Sequence, residues 1–542
     1  MAAALAAHEC GLSALIVEKT QYVGGSTARS GGAFWLPGNR LLRKAPGDSI
    51  DRARQYLRSV VAGAAAPERT DSFLEHAGAT VEMLRRTTPM KFMWAKGYSD
   101  YHPEQPGGSV LGRTCECRPF NVALLGTERE RLRPGVMKSS LPIPVTGADY
   151  RWMNLIARVP LRAWPRALRR AAQGLGGRLI GRRYVAGGQA LAAGLYAGVL
   201  RAGIPVWTEA SLQRLLTDGT RVTGAVIERG GQPVEVIARH GVILAAGGFE
   251  HRMDWRWKYQ SESLKPHASL GAEGNTGDAI RIGQDSGAGI ELMDQAWWFP
   301  AFAAPSGDEP MILLAERSLP GSLMVDHTGH RFINEATDYM SFGHHLLARE
   351  RSGHPVETMW MVFDQRYRDS YLLSGLFPKA AIPKRWYAAG IAQRSDDFTG
   401  LARAIGVPVE EFVATVTSFN QIARRGIDDD FGRGNSAYHR YYGDPTVSPN
   451  PNLRALTDGP FYALKVVLSD LGTCGGLAAD HHARVLREDG TVIEALYAIG
   501  NSAANAFGAT YPGAGATIGQ GLVYGYIAAL HAAGSPAHHP QH

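Results

Sequence analysis

The chain has few cysteines and no long hydrophobic run, and each absence excludes a class of protein. Its 542 residues include four scattered cysteines, too few for a disulfide framework, which predicts reduced, mostly buried thiols in a reducing compartment. No run of 18 apolar residues occurs, so no membrane-spanning helix is predicted. The opening MAAALAAHECGL lacks a basic region and carries His8 and Glu9, unlike a signal peptide. We therefore expect a cytoplasmic protein.

Acidic residues are missing from one segment, residues 151–183, which holds nine arginines and no lysine. Without these nine charges the formal net charge of +7 becomes −2, so the basicity is local and no nucleic-acid partner is expected. Tryptophan and leucine alternate with the arginines, and Pro160 and Pro165 are expected to break the segment into short pieces. This pattern predicts contact with an anionic membrane surface, at the inner face of the cell membrane. The alternative is a solvated insertion or a lid packed on its own protein.

The start of the chain indicates part of a nucleotide-binding unit. Ala2 to Glu9 is helix-like, and Ser13 to Val17 is a short apolar strand that leads into Glu18. In strand–helix–strand nucleotide-binding units, an acidic residue at the end of the second strand bonds the ribose. The first strand and its Gly-x-Gly-x-x-Gly turn would precede the helix, so we interpret the given sequence as a late start or a fragment. Alternatively, Met1 is the true start and the helix packs for another purpose.

Glycine-rich segments follow at three places along the chain. The loop GGSTARSGGAFWLPGN (24–39) comes soon after the strand that leads into Glu18, and its glycines allow backbone N–H groups to approach a pyrophosphate or a flavin. The apolar strand in GVILAAGGFE (241–250) ends in Ala-Gly-Gly, which suits close approach to a flavin. The loop ATYPGAGATIG (509–519) leads into a helix whose N-terminus can face a ligand oxygen.

These motifs resemble the 3-ketosteroid Δ1-dehydrogenases, within the wider fumarate-reductase-like flavoprotein group. The resemblance rests on EKTQYVGGSTARSGGAFWLPGN, on VILAAGGFE and on LYAIGNSAANAFGATYPGAGATIGQGLVYGYIAA, the last being specific to the steroid branch. It covers nearly the whole chain except residues near 140–185 and the missing start. It implies FAD as cofactor, a 3-ketosteroid as substrate and an external electron acceptor, for which a quinone is a candidate.

The resemblance also implies an α/β fold with two domains. A Rossmann-like FAD-binding domain, its first strand missing, would comprise residues 1–298, with a basic insertion at about 145–185, and residues 471–542. Residues 299–470 would form an inserted α+β catalytic or cap domain. The aromatic run WWFPAF (297–302) is expected to be core at the domain junction rather than pocket wall.

Individual residues are carried over from the family's motifs. In Tyr-Pro-Gly-x-Gly, the Tyr511 hydroxyl and the Gly515 amide would hold the substrate carbonyl. The stretch RFINEATDY indicates Tyr339 as catalytic base, and YSDYHPEQPGG indicates Tyr101 as its assistant, with Tyr98 a wall residue. The implied cofactor contacts are Glu18, Lys19, Gly24, Gly25, Ser26, Thr27, Ser30, Gly31, Gly32, Ala246, Gly247, Gly248, Gly500, Asn501, Gly515, Ala516, Thr517 and Ile518.

The chemistry explains why such groups are needed. Two neutral donors aimed at the ketone oxygen stabilise the enolate formed when the C2 proton leaves. A free tyrosine has a pKa of about 10 and is a poor base at neutral pH, so a neighbouring hydroxyl such as Tyr101 would have to stabilise its anion. Oxidised flavin would accept the C1 hydrogen as hydride. No metal is required.

Three alternatives stay open. A steroid enzyme acting at the 4,5 bond would share the fold and the tyrosine chemistry. A fumarate-reductase-like enzyme would need cationic clamps for a dicarboxylate, and Arg331 is one candidate. A chain without the first strand could also be an inactive remnant that binds steroid or membrane without turnover.

Overall fold

The fold is described from a computed structural model that covers residues 1–136 and 142–534. The last eight residues of the predicted C-terminal part, 535–542, and residues 137–141 of the first part lie outside the described residues. The strands are β1 Ile16–Val17, β2 Ala33–Trp35, β3 Phe92–Trp94, β4 Thr114–Cys117, β5 Phe120–Asn121, β6 Tyr184–Val185, β7 Val206–Trp207, β8 Ala210–Asp218, β9 Arg221–Arg229, β10 Gln232–Ile237, β11 Val242–Leu244, β12 Ile290–Glu291, β13 Ala296–Phe302, β14 Met311–Ile312, β15 Ser322–Asp326, β16 Met359–Asp364, β17 Ala392–Ser395, β18 Phe461–Thr473, β19 Gly476–Leu477, β20 Arg484–Leu486 and β21 Val492–Ala498.

Helices occupy most of the remaining regular structure. They are α1 Ala2–Glu9, α2 Gly25–Arg29, α3 Ile50–Val61, α4 Pro67–Thr87, α5 Gly147–Asn154, α6 Pro160–Ala171, α7 Gly177–Leu179, α8 Gly187–Arg201, α9 Met253–Tyr259, α10 Asp278–Asp285, α11 Tyr339–Arg351, α12 Gln365–Ser370, α13 Lys384–Ala388, α14 Phe398–Ile405, α15 Val409–Arg425, α16 Ala437–Tyr441 and α17 Ala516–Ala532. Among the described residues, no helix is long and apolar enough to cross a bilayer.

Two parallel strand pairs form the layer behind the glycine-rich loops. Strand β1 pairs with β7, and β11 pairs with β21. The strand expected over Ser13–Val17 is shorter than predicted, because only Ile16 and Val17 find partners. In both pairs the side chains alternate between the same two apolar clusters, with Ile16 and Ile243 facing one, and Val17 and Leu244 the other. Both pairs therefore lie between the same two layers.

Helix α1 covers one side of this layer. Its residues Ala2 to Ala7 are all buried, and the helix packs against α17 and α4. The small alanine side chains permit this close contact: Gly525 of α17 lies so near that an added Cβ would come 3.2 Å from the Ala3 nitrogen. The first residues of the chain are thus core, and they end beside the helix that follows the C-terminal glycine loop.

A six-stranded sheet dominates residues 296–473. Its strand order is β14-β13-β18-β16-β15, and β17 also pairs with β18. Successive residues of β15 face opposite cores, Met324 one cluster and Leu323 and Val325 another, as the two-residue period of a strand requires. Helices α14 and α15 cover the second cluster, and each ends at a glycine with positive φ, Gly406 and Gly426.

The arginine-rich segment is interrupted between the end of α5 at Asn154 and the start of α6 at Pro160, and is helical from Pro160 to Leu179. Pro160 occupies the first turn of α6, where its missing N–H has no intrahelical partner to lose. Pro165 lies inside the same helix, so the prediction that it breaks the segment was wrong. Helix α6 continues through a π-helical turn, Ala172–Gly176, into α7.

Candidate active site

Three tyrosines from distant parts of the sequence meet in one buried apolar cluster. Tyr101 lies in the loop after β3, Tyr339 is the first residue of α11, and Tyr511 precedes α17. Their ring centroids are 5.3 Å apart for Tyr101 and Tyr339, 5.2 Å for Tyr101 and Tyr511, and 5.3 Å for Tyr339 and Tyr511. None is more than 5% exposed. We call these three residues, with Gly515, the tyrosine site.

Tyr511 and Gly515 present two donors at one point. The Gly515 amide donates a hydrogen bond to the Tyr511 hydroxyl at 3.2 Å, so one ligand oxygen could contact both groups. Gly515 has φ +88°, and an added Cβ would lie 2.2 Å from the Ala33 carbonyl oxygen. A side chain is therefore excluded for both conformational and steric reasons. Since Gly515 is also the N-cap of α17, its amide lies at the positive end of that helix.

Tyr339 is positioned by the cap of its helix. The Asp338 side chain accepts a hydrogen bond from the Ser341 N–H at 2.9 Å, which starts α11 directly at Tyr339. The buried Arg317 guanidinium donates to the Glu335 and Thr337 carbonyls at 2.6 and 2.5 Å. The stretch before Tyr339 is thereby fixed to the turn that precedes β15.

Tyr101 is fixed by the residue before it. Asp100 accepts hydrogen bonds from the Trp35 indole at 2.8 Å and the Ser109 N–H at 3.0 Å, and it pairs with Arg113. Arg113 also pairs with Asp48 at 2.8 Å, and its side chain is fully buried. The Tyr101 hydroxyl is buried and has no hydrogen-bond partner in residues 1–136 and 142–534. A buried unpaired hydroxyl is unusual and fits a group that meets a ligand.

Burial dominates the ionisation of these tyrosines. It raises the pKa of Tyr511 to about 12, so this hydroxyl stays a neutral donor at neutral pH. Burial raises the pKa of Tyr339 well above its ordinary value, as does the neighbouring Tyr511, while the Tyr101 hydroxyl acts in the opposite direction. Burial also raises the pKa of Tyr101 well above its ordinary value. The site at rest is therefore uncharged.

Further aromatic side chains enclose the tyrosine site, and sequence reasoning missed them. Tyr438 of α16 packs on Tyr101 with ring centroids 4.7 Å apart, and its hydroxyl also lacks a partner among the described residues. Trp297 packs edge-on against Tyr511 at 4.9 Å, and Phe299 against Tyr339 at 5.1 Å. The run WWFPAF, expected to be core alone, is both core and wall. The cluster SAYHRYY (436–442) was the one available signal for Tyr438.

Tyr98 contacts the next layer of aromatic rings. Its ring stacks on Tyr441 at 4.5 Å and lies 6.4 Å from Tyr101. The Arg151 guanidinium lies over the other side of this layer, 4.7 Å from the Tyr441 ring. Arg151, the first residue of the arginine-rich segment, is thus connected to Tyr101 through the rings of Tyr441 and Tyr98.

One open cleft leads to the tyrosines from outside. It has a volume of about 300 Å³, and its walls include Tyr101, His102, Glu104, Asp338 and His439. Burial lowers the pKa of His439 to about 4, so this histidine is neutral at physiological pH. Tyr101 thus lines a cleft that is open to solvent.

The backbone of the glycine-rich loops suits a bound dinucleotide. A Cβ added to Gly25, Gly31 or Gly500 would meet nothing within 4 Å, so these positions face open space. Ala246, at the end of β11, is exposed although it follows a buried strand. A cavity of about 590 Å³ lies at the Lys19 end, beside Arg133. Open, glycine-lined surface inside the molecule, with a basic group at one end, fits FAD.

Several of the expected cofactor residues already bind the protein itself. Lys19 pairs with Asp278 at 2.5 Å, and Glu18 accepts hydrogen bonds from the Thr20 N–H and hydroxyl at 2.8 Å. Ser26 accepts hydrogen bonds from the Ala272 N–H and the Asn275 side chain, both at 2.9 Å.

The glycines around them are structurally constrained. A Cβ on Gly32 would lie 2.2 Å from the Gly187 carbonyl carbon, and one on Gly248 would lie 2.0 Å from the Thr473 hydroxyl. These two glycines therefore allow close packing of the loops, and the Gly32 N–H donates to the Ser30 hydroxyl at 3.0 Å.

Arg331 is not available as an anion clamp. It is 4% exposed and pairs with Glu335 and Asp428, both at 2.9 Å. Its guanidinium also packs on the rings of Phe419 and Phe431. The candidate clamp of the fumarate-reductase-like alternative is thus a structural ion pair, and that assignment was wrong.

Known proteins share this chain's sequence and fold. Residues 1–518 match the model of a family described as an FAD binding domain. The 3-oxosteroid 1-dehydrogenase of Mycobacterium tuberculosis is 42% identical over 98% of this chain and 96% of its own length. The 4-oxocyclohexanecarboxylate 2-dehydrogenase of Sinomonas cyclohexanicum is 36% identical over 99% of this chain and 91% of its own. The crystal structure of 3-ketosteroid delta1-dehydrogenase from Sterolibacterium denitrificans superposes with a TM-score of 0.92, at 37% identity, over 99% of this chain and 97% of that one.

Proposed function

We propose that this chain, which belongs to the 3-oxosteroid 1-dehydrogenase family of FAD-binding proteins, removes two hydrogens from C1 and C2 of ring A in a 3-ketosteroid. The observation that carries the proposal is the 3.2 Å contact between the Gly515 amide and the Tyr511 hydroxyl, beside Tyr339 and Tyr101. It provides two neutral donors for one carbonyl oxygen, with a candidate base next to them.

Tyr511 and Gly515 polarise the ketone in this proposal. Both donors are buried, so their hydrogen bonds to a developing enolate oxygen act in a medium of low dielectric constant. The raised pKa of Tyr511 keeps its proton on the hydroxyl, which suits a donor rather than a base. Polarisation lowers the barrier for loss of the C2 proton.

Tyr339 accepts the C2 proton, and Tyr101 supports it. The two rings meet edge to face, 5.3 Å apart, and the unpaired Tyr101 hydroxyl can donate to the Tyr339 oxygen when Tyr339 is ionised. The low polarity that raises the pKa of Tyr339 also strengthens this single hydrogen bond. Tyr339 must release its own hydroxyl proton to solvent before it can accept the C2 proton, so the reactive base is the ionised fraction of Tyr339.

A bound FAD would supply the hydride-accepting chemistry for the C1 hydrogen. The backbone of Gly24, Gly25, Gly31 and Gly32 would hold it on one side. The remaining expected contacts are Glu18, Lys19, Ser26, Thr27, Ser30, Ala246, Gly247, Gly248, Gly500, Asn501, Gly515, Ala516, Thr517 and Ile518. For Ser26 and Ser30 we assign a loop-shaping role, since Ser30 itself bonds the Thr27 carbonyl and the Gly32 N–H.

A Rossmann-like domain of residues 1–298 and 471–542, with 299–470 inserted, remains our interpretation of the architecture. This interpretation is supported by two parallel pairings, β1 with β7 and β11 with β21, which lie between the same two apolar clusters. Between β1 and β21 no pairing occurs in the part of the chain that the structure describes. A cytoplasmic location and a quinone acceptor are likewise proposals.

The test is an anaerobic reaction followed by product analysis. Purified protein supplemented with FAD is mixed with a 3-keto-4-ene steroid, and the flavin absorbance is recorded. Bleaching with formation of the 1,4-diene supports the proposal. Bleaching only with a 4,5-saturated 3-ketosteroid would assign the reaction to the 4,5 bond. A protein that stays colourless after FAD addition would be the inactive remnant.

We further propose that the exposed part of the arginine-rich segment docks on an anionic lipid bilayer. Arg151, Arg158 and Arg170 are used inside the protein, where Arg158 pairs with Asp444 and Arg170 with Asp149. We call the exposed residues of the range 160–183 the arginine surface. Its exposed arginines are Arg162, Arg166, Arg169, Arg178, Arg182 and Arg183.

Apolar side chains project from the same helices into solvent. Leu161 is 92% exposed, Leu179 89% and Leu168 62%, and Trp164 and Ile180 are also exposed. Leu161, Trp164 and Leu168 recur at helical spacing and share one face of α6. Exposed leucines beside arginines, with no acid in the segment, match the chemistry of an anionic membrane interface, and water-insoluble sterols reside there.

Co-sedimentation with anionic liposomes tests this docking surface. The triple variant Leu161→Ser, Leu168→Ser and Leu179→Ser is compared with a control, Ile237→Ser and Phe377→Ser, which changes side chains that are 68% and 60% exposed elsewhere. Loss of sedimentation in the triple variant alone supports docking. Equal sedimentation of both variants and the parent protein would refute it.

A further inference from the structure

Two loops carry Tyr101 and Tyr511, and a side chain that belongs to neither loop joins them. One loop holds Tyr101 and follows β3, and the other holds Tyr511 and precedes α17. The Tyr101 N–H donates to the Pro512 carbonyl at 3.1 Å, which is one direct link between them. The second link runs through Tyr56, which lies in the middle of α3.

The Tyr56 hydroxyl makes two hydrogen bonds, one to each loop. It donates to the Pro512 carbonyl at 2.7 Å and accepts from the His102 N–H at 3.2 Å. Pro512 follows Tyr511 and His102 follows Tyr101, so one oxygen atom bonds the chain directly beside each proposed catalytic tyrosine. The Tyr56 hydroxyl thereby satisfies the half-buried His102 N–H and bonds the Pro512 carbonyl.

The ring of Tyr56 is held as firmly as its hydroxyl. The side chain is fully buried, Trp35 packs 6.2 Å from it, and the Arg113 guanidinium lies 5.8 Å over its face. A Cβ added to Gly107 of the Tyr101 loop would lie 2.8 Å from the Tyr56 nitrogen, which shows how closely that loop packs on α3. Burial raises the pKa of Tyr56 well above its ordinary value, so the hydroxyl stays protonated and able to donate.

The other loop is fixed to the same helix. The Thr510 hydroxyl donates to the Val60 carbonyl of α3 at 2.9 Å. Helix α3 therefore carries contacts to both loops, and Tyr56 is the residue that touches both with one group. The Tyr101 and Tyr511 rings, carried by these two loops, lie 5.2 Å apart.

We propose that Tyr56 is a positioning residue that sets the separation of Tyr101 and Tyr511, and through them the alignment of base and carbonyl donors. Its side chain is fully buried, and its hydroxyl is engaged with the Pro512 carbonyl and the His102 N–H. This inference rests on the proposed function for its catalytic consequence, while the hydrogen bonds themselves do not.

The variant Tyr56→Phe removes both hydrogen bonds and keeps the ring that packs on Trp35 and Arg113. A displacement of about 1 Å in a catalytic group can lower a rate on the order of 100-fold, so we expect kcat to fall between about 10- and 100-fold. Because substrate binding depends mainly on apolar contact, we expect KM to change less than about threefold.

Tyr367→Phe is the matched control. Tyr367 is also fully buried, and its hydroxyl donates to the Glu316 backbone carbonyl at 2.8 Å. It lies in a different apolar cluster, the one that contains Met324 of β15. It should lose a similar amount of stability and keep kcat within about twofold. Equal losses of kcat in the two variants, or a matching change of kcat and KM in Tyr56→Phe, would overturn the assignment.

Hydrogen exchange of the His102 amide reports the link without any turnover. We expect faster exchange in Tyr56→Phe than in the parent protein, and no change in Tyr367→Phe. Unchanged exchange in Tyr56→Phe would refute the link. If the parent protein does not turn over steroid, the proposed function fails and the exchange rates alone decide on Tyr56.

Discussion

The tyrosine site and the arginine surface are neighbours with opposite construction. In the tyrosine site every ring is at most 5% exposed, and buried groups such as Arg113 and Arg317 hold the backbone on both sides. On the arginine surface Leu161 is 92% exposed, Arg162 and Arg166 lie over the Trp152 ring, and Arg166 also donates to the Arg162 carbonyl at 2.6 Å. The first region therefore works through fixed geometry, and the second through what it leaves uncovered.

The contrast is sharpest between two arginines, and the largest predicted effect is on stability. Arg113→Met leaves Asp48 and Asp100 buried without their partner, so we expect the free energy of unfolding to fall by about 3–5 kcal/mol. Arg169→Met, on the arginine surface, should change it by less than about 0.5 kcal/mol. Urea denaturation of both variants measures the difference, and similar losses would contradict it.

Removing one carbonyl donor should give the next largest effect. Tyr511→Phe is expected to raise the barrier by about 3 kcal/mol and so lower kcat/KM by on the order of 100-fold. The control Tyr524→Phe removes another buried hydroxyl, which donates to the Arg69 carbonyl at 2.6 Å, and should leave kcat/KM within about twofold. Steady-state kinetics with an artificial acceptor compares them. Equal kcat/KM values would remove Tyr511 from the site.

The pH dependence should separate a tyrosine base from a histidine base. Because burial raises the pKa of Tyr339, its ionised form becomes more populated as pH rises, and kcat/KM should rise by up to about tenfold per pH unit without a plateau below about pH 9. A bell-shaped profile centred near pH 7 would contradict a tyrosine base.

Stability limits the pH range of that experiment. A tyrosine whose folded pKa lies above its unfolded value of about 10 stabilises the fold fully below that pH and loses this contribution as pH rises above it. Circular dichroism at each pH confirms that the protein is still folded.

The smallest effect is expected for the arginine surface itself. Leu161→Ser should change the free energy of unfolding by less than about 0.5 kcal/mol, because the side chain is almost wholly exposed. Leu401→Ser, a fully buried position under the second sheet, should cost several times more. Thermal unfolding of both variants is sufficient, and a large loss for Leu161→Ser would mean that α6 packs on the protein.

Local patterns predicted much of this molecule, and the failures share one cause. The helix Ala2–Glu9 and the strand before Ala-Gly-Gly form as expected, because each depends on residues close in sequence. Tyr56 and Tyr438 were not found, because their roles arise from contacts with loops far away in the chain. Pro165 was misjudged because a helix tolerates one missing N–H when its neighbours pack.

The site residues divide in the same way. Tyr101, Tyr339 and Tyr511 were recognised from motifs, and the structure brings them together. Lys19 was expected at the cofactor, and its pairing with Asp278 could not be foreseen from the sequence. Sequence patterns report the identity of a side chain and not the group that it meets.

The hydrogen bond between the Gly515 amide and the Tyr511 hydroxyl has a consequence for selectivity. At rest the two donors are engaged with each other, so the site presents no unsatisfied amide to an incoming molecule. A ketone oxygen can replace this internal bond with two of its own, whereas a hydrocarbon can only break it and leave the amide unpaired. The two proposed donors would thus favour a molecule that brings an oxygen acceptor over acyl chains, which bring none.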